Sequence, residues 1–180
     1  MRIAMLLSAV LLAAPVQAQQ TPAPANKPPP PPDCKAPEFR QFDFWLGEWT
    51  VPAPGGKPPG HSRIESILDG CVILENWSGG SGYTGKSFNM YNRDTGRWEQ
   101  FWVDTTGSRL HLVGGLVDGK MVLEGQQDKP NAQTGLTQRE RFSWTPNADG
   151  TVRQLWETSN DDGKTWAVSF DGLYQRVKSP

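Results

Sequence analysis

Glycine-marked breaks that recur about every ten residues after residue 60 constrain this chain most strongly. Asp69-Gly70, residues 92–96, Thr106-Gly107, Asp118-Gly119, residues 147–150 and Asp161-Asp162-Gly163 each separate runs rich in apolar and β-branched residues. Gly supplies positive φ, and Asp and Asn tolerate it, so each break reads as a hairpin turn. The runs between them predict strands at 48–51, 61–68, 71–77, 85–92, 97–104, 109–117, 120–127, 136–145, 152–159 and 166–177. Strands joined by such short turns pair with their sequence neighbours and run antiparallel. An open meander of this length has two exposed edges, and closure removes them. A sandwich would need longer Greek-key crossings than these breaks allow. The expected fold is all-β: an antiparallel up-and-down β-barrel of about ten strands.

The first part of the chain has a different character. Residues 1–18 read as a secretory signal: Arg2, an apolar run at 3–14, and Val16-Gln17-Ala18 as a cleavage site. The apolar run is shorter than the roughly 20 residues that span a bilayer, so no stable membrane insertion is expected once the signal is removed. Residues 19–36 carry Pro22, Pro24 and an unbroken proline run at 28–32, an extended spacer with no core of its own. The folded domain is expected at 37–178. It opens with Phe39, Phe42, Phe44 and Trp45 at helical spacing, a short helical plug for one end of the barrel.

Export also determines how the two cysteines are read. In an oxidising compartment Cys34 and Cys71 are expected to form a disulfide, and the protein to be periplasmic or secreted. Two cysteines without a neighbouring His pair do not make a zinc site, and no Asp-x-Asp-x-Asp-Gly calcium loop is present. No metal and no cofactor is therefore called for by a motif. A net charge of -1 with no basic run argues against nucleic acid as a partner.

Phe42-Asp43-Phe44-Trp45-Leu46-Gly47-Glu48-Trp49 contains Gly-x-Trp as Gly47-Glu48-Trp49. This resembles the first-strand signature of the lipocalins and the wider calycin group. There the Trp packs under the barrel against a basic residue of the last strand, which implies a structural pairing of Trp49 with Arg176. With Gly70 to Trp77, Gln100 to Asp104 and the Trp-rich C-terminal hairpin, the stretch resembles a bacterial family of exported, lipocalin-like proteins of unknown function, over roughly 37–176. That resemblance implies a calycin-type barrel and brings no catalytic residue with it. Ser159-Asn160-Asp161-Asp162-Gly163-Lys164-Thr165-Trp166 resembles the Asp-box hairpin of sialidase propellers. A single copy in a chain this short reads as a turn device built on Asp161, Gly163 and Trp166.

Alternation along the strands nominates an interior. One face of 97–104 carries Trp98, Gln100, Trp102 and Asp104; one face of 71–77 carries Ile73, Glu75 and Trp77; one face of 152–159 carries Gln154 and Trp156. On 136–145, Arg139, Arg141 and Ser143 alternate with Glu140, Phe142 and Trp144. The candidate ligand-binding set is Glu75, Trp77, Gln100, Trp102, Asp104, Arg141 and Trp156: aromatic walls with a few polar anchors, suited to a small hydrophobic or aromatic molecule. A barrel filled by its own side chains fits the same pattern. His111 is the one candidate for a haem ligand. The functional expectation is non-catalytic binding of a small molecule in the cell envelope. The alternatives are a small-substrate hydrolase or isomerase that uses barrel carboxylates, and a structural or interaction module.

Overall fold

The computed structural model describes residues 34–130, 132 and 134–177. The signal expected at 1–18 and residues 19–33 of the leader expected at 19–36 lie outside the described residues, as do residues 178–180. Two 3-10 turns, Pro37–Arg40 and Asp43–Trp45, lead into the strands. These are β1 (Gly47–Val51), β2 (Gly60–Ile67), β3 (Val72–Ser78), β4 (Thr84–Asn92) and β5 (Arg97–Asp104), then β6 (Arg109–Val117), β7 (Lys120–Pro130), β8 (Thr137–Pro146), β9 (Val152–Ser159) and β10 (Ala167–Arg176). Each pairs antiparallel with its sequence neighbours, and β1 closes on β10 to complete a ten-strand up-and-down barrel. The strand positions match the expected ones closely. The main difference is β7, which continues past residue 127 to Pro130 across a register shift against β8. The β6–β7 hairpin shows how a turn sets register. Asp118 (φ 49°) and Gly119 (φ 76°) are both left-handed, as a type I′ turn requires, and Val117 and Lys120 face each other across it.

Aromatic rings fill one end of the barrel. Phe42 stacks on Trp45 at 5.0 Å and meets Trp98 and Trp144 edge-on at 5.7 and 5.2 Å. Phe42, Trp45 and Trp144 are fully buried, with Leu112, Met121 and Leu123 packed around them. Hydrogen bonds tie this plug to the strands: the Trp49 indole donates to the Trp45 carbonyl at 2.9 Å, and the Trp98 indole to the Gln41 side chain at 3.1 Å.

Gly47, Trp49 and Arg176 form the seam. Trp49 and Arg176 are cross-strand neighbours, with the guanidinium 4.4 Å from the indole centroid. Arg176 also donates to the Leu46 carbonyl at 3.0 Å. Gly47 sits at φ 132°, a backbone shape that disfavours a larger residue, and a β-carbon there would lie 2.5 Å from Arg176 Nη1 and displace that guanidinium from its place over Trp49. At the same end Cys34 and Cys71 form a disulfide with Cα atoms 5.0 Å apart, closing a span of 37 residues. In the chain-entropy picture such a closure contributes up to about 4 kcal/mol. Cys34 is buried, so the packed structure reaches back to it.

The outer face is charged. Arg63–Glu65, Arg141–Glu157 and Arg153–Asp171 pair there at 2.6–3.0 Å, where a membrane-spanning barrel carries an apolar band. No helix among the described residues is long and apolar enough to cross a membrane. The Asp-box hairpin between β9 and β10 is held by its own side chains. Asp161 accepts from Thr165 Oγ1 at 2.6 Å and from its amide at 2.9 Å, Ser159 Oγ accepts from the Gly163 amide at 2.8 Å, and the Trp166 indole donates to the Gly163 carbonyl at 3.1 Å. The hydrogen bonds from Thr165, then that from Ser159, hold the Asp161 carboxyl down at about 2.

Candidate ligand cavity

The other end of the barrel is open. A cavity of ≈ 580 Å³ lies above the aromatic floor, within the range of small-molecule sites. Trp77, Trp102, Trp156, Phe142, Phe170 and Tyr83 form its walls. The inward faces follow the alternation: Trp98, Gln100, Trp102 and Asp104 on β5, Ile73, Glu75 and Trp77 on β3.

Strand glycines keep these rings from filling the lumen. A β-carbon at Gly60 would lie 2.5 Å from Trp77 Cη2, one at Gly85 2.2 Å from Trp102 Cζ2, and one at Gly172 2.4 Å from Phe170 Cζ. Trp77 and Trp102 therefore each lie across a neighbouring strand at a point with no side chain, and Phe170 lies along its own strand over Gly172. On the opposite wall the Phe142 and Trp156 rings, cross-strand neighbours on β8 and β9, stack at 5.1 Å.

A band of polar side chains separates floor and cavity. Glu75, only 3% exposed, accepts from Ser62 Oγ at 3.2 Å and from Ser87 Oγ at 2.9 Å. Asn89 donates to Ser87 Oγ at 3.0 Å and to the Ile73 carbonyl at 3.1 Å, and accepts from Gln100 at 2.7 Å. The Tyr174 hydroxyl lies beside Glu75, and its single proton is given to Gln154. Burial raises the Glu75 carboxyl to about 7, against the opposing hydrogen bonds from Ser87 and Ser62. Burial, followed by the charge of Glu75, drives the Tyr174 hydroxyl well above its usual range.

Two further carboxyls serve the walls. Asp104 accepts from the Trp102 indole at 2.9 Å, from Tyr83 Oη at 3.0 Å and from the Thr106 amide at 2.8 Å. Desolvation pushes its acidity range up, but the hydrogen bonds from Thr106, Trp102 and Tyr83 together outweigh it and hold Asp104 at about 2. Glu140, fully buried, accepts from the Trp156 indole and from Gln127 at 2.6 and 2.7 Å. Desolvation raises it, against those two donors.

Six of the seven nominated residues line this cavity: Glu75, Trp77, Gln100, Trp102, Asp104 and Trp156. Arg141 does not. It lies on the outer face of β8, paired with Glu157 at 3.0 Å and 4.0 Å over the Trp166 ring, because the alternation on β8 turns Glu140, Phe142 and Trp144 inward. His111 likewise faces outward, stacked on Phe101 at 4.4 Å and 2.9 Å from Glu99, and is not part of the cavity lining. Among the described residues no group of three His, Cys, Asp or Glu is placed to hold a metal. The nominated binding set lacks Tyr83, Phe142, Phe170, Gln154 and Tyr174, although alternation places Gln154 on the same face as Trp156. Phe142 and Tyr174 carried a signal: Phe142 shares a face with Trp144, and Tyr174 lies two residues before Arg176 on one face of the last strand.

In sequence the chain matches no family model, and no curated protein matches it. The fold assignment therefore rests on the barrel itself, a closed ten-strand antiparallel meander consistent with a lipocalin-like fold.

Proposed function

We propose that this protein is an exported, lipocalin-like member of the bacterial family it resembles, and that it binds a small, largely apolar or aromatic molecule without transforming it. The carrying observation is the cavity of ≈ 580 Å³ walled by Trp77, Trp102 and Trp156. Flat rings offer stacking surface, and Glu75, Gln100 and Gln154 offer hydrogen bonds at its base. The Cys34–Cys71 disulfide supports a periplasmic or extracellular location, as does the signal read at 1–18. The test is native mass spectrometry of protein recovered from its export compartment, followed by tryptophan emission and thermal melting against a panel of apolar and aromatic compounds. A co-purified small molecule, or a saturable shift in emission and melting temperature, supports the reading. If nothing co-purifies and neither signal moves, the reading fails.

One observation favours a second reading. A carboxyl near 7 beside a buried tyrosine is suited to general acid–base work at neutral pH. An isomerase or hydrolase of this kind would lose about 100-fold or more in turnover on Glu75→Gln, whereas a binding protein has no turnover to lose.

A further inference from the structure

We propose that the cavity selects an organic cation, a protonated or quaternary amine attached to an apolar or aromatic body. This deepens the binding reading above and rests on it. The argument begins with charge. Three carboxyls belong to the cavity and its walls, Glu75, Asp104 and Glu140. Among the described residues none of the three is in an ion pair: their hydrogen bonds come from Ser, Thr, Tyr, Gln and Trp side chains and one backbone amide. The one basic side chain on the lining, Arg109, is paired with Asp128 at 2.9 Å. The lining thus carries two carboxyls, Glu75 and Asp104, with Glu140 buried behind the Trp156 indole, and no basic side chain among the described residues pairs with any of them.

The aromatic walls add to the same effect. Trp102 and Tyr83 both donate to Asp104, and Trp156 donates to Glu140. An indole or phenol that donates to a carboxylate is polarised, which raises electron density on its ring face. The faces left for the lumen are therefore better seats for a cation than those of an unpolarised ring. A neutral apolar ligand would use the stacking surface and leave the acidic groups uncompensated. An anion would be repelled by them.

The experiment compares three probes of nearly the same shape on the intact mature protein: benzyltrimethylammonium, its neutral carbon isostere neopentylbenzene, and the anion phenylmethanesulfonate. Tryptophan emission and calorimetry read the affinities at pH 8. The expected order is cation first, by about tenfold over the isostere, with the sulfonate weakest. Glu75→Gln is expected to shrink the ratio of the cation's affinity to that of its neutral isostere. If that variant does not fold, the isostere comparison on the unaltered protein decides alone. A neutral probe that binds as well as or better than the cation overturns this inference and leaves small-molecule binding standing. Failure of all three to bind overturns this inference, and small-molecule binding is then decided by the co-purification and compound panel above.

Discussion

The two ends of this barrel use the same amino acid for opposite purposes. At the floor, Trp45, Trp49, Trp98 and Trp144 are buried in one cluster with Phe42, Leu112 and Met121. At the mouth, Trp77, Trp102 and Trp156 line the wall of a cavity of ≈ 580 Å³. The difference lies in the neighbours. Floor tryptophans meet large side chains, whereas Trp77 and Trp102 lie across Gly60 and Gly85. The floor end is further secured by the Cys34–Cys71 bridge and the Arg176 contact on Trp49. Between the ends lies the polar band around Glu75, whose buried carboxyl lowers stability at neutral pH and marks where packing gives way to open space.

The largest test of the contrast is a pair of truncations. Trp144→Ala empties a fully buried site and is expected to cost about 3–5 kcal/mol in urea unfolding. Trp102→Ala removes a ring already open to the cavity and is expected to cost about 1–2 kcal/mol, with its main effect on ligand affinity. Equal costs would erase the distinction between the two ends.

A pH titration of stability probes the band between them. Between 4.5 and about 7 the folded state keeps the Glu75 proton and the unfolded state releases it. The folded state then binds more protons, so stability falls as pH rises through that window. The expected loss is about 3 kcal/mol, complete above pH 7 and absent in Glu75→Gln. A flat profile in the unaltered protein would mean that Glu75 is better solvated than its burial implies.

The smallest change acts at the mouth. Gly85→Ala places a methyl where the Trp102 ring lies and is expected to cost about 1–3 kcal/mol. The ring should swing into the lumen, lowering ligand affinity by more than the stability loss explains. Unchanged affinity would show that the glycine seat does not shape the cavity.

Much of this was legible in the residues. Turn chemistry such as Asp118-Gly119 located the strands, and period-two alternation placed Glu75, Trp77, Gln100, Trp102 and Trp156 on inward faces. Arg141 was misplaced because a charged residue on β8 looked like an anchor. Its partners, Glu157 on the adjacent strand and Trp166 in the following hairpin, are brought to it only by the fold. Tyr83 lies outside the predicted strands, so periodicity says nothing of it. Whether the interior was open or filled was not readable, since it depends on which ring lies over which glycine across strands.

The seam between β1 and β10 also has a consequence in time. Every other pairing joins strands adjacent in sequence, so the meander can assemble by short loop closures as the chain is made. The Trp49↔Arg176 pairing joins the first strand to the last and is the most non-local strand pairing of the barrel. It has to wait for the C-terminal strand, and until then β1 exposes an unpaired row of backbone groups. Barrel closure should accordingly be the late, rate-limiting event of refolding, and a chain cut short before Arg176 should associate with its neighbours along that waiting strand.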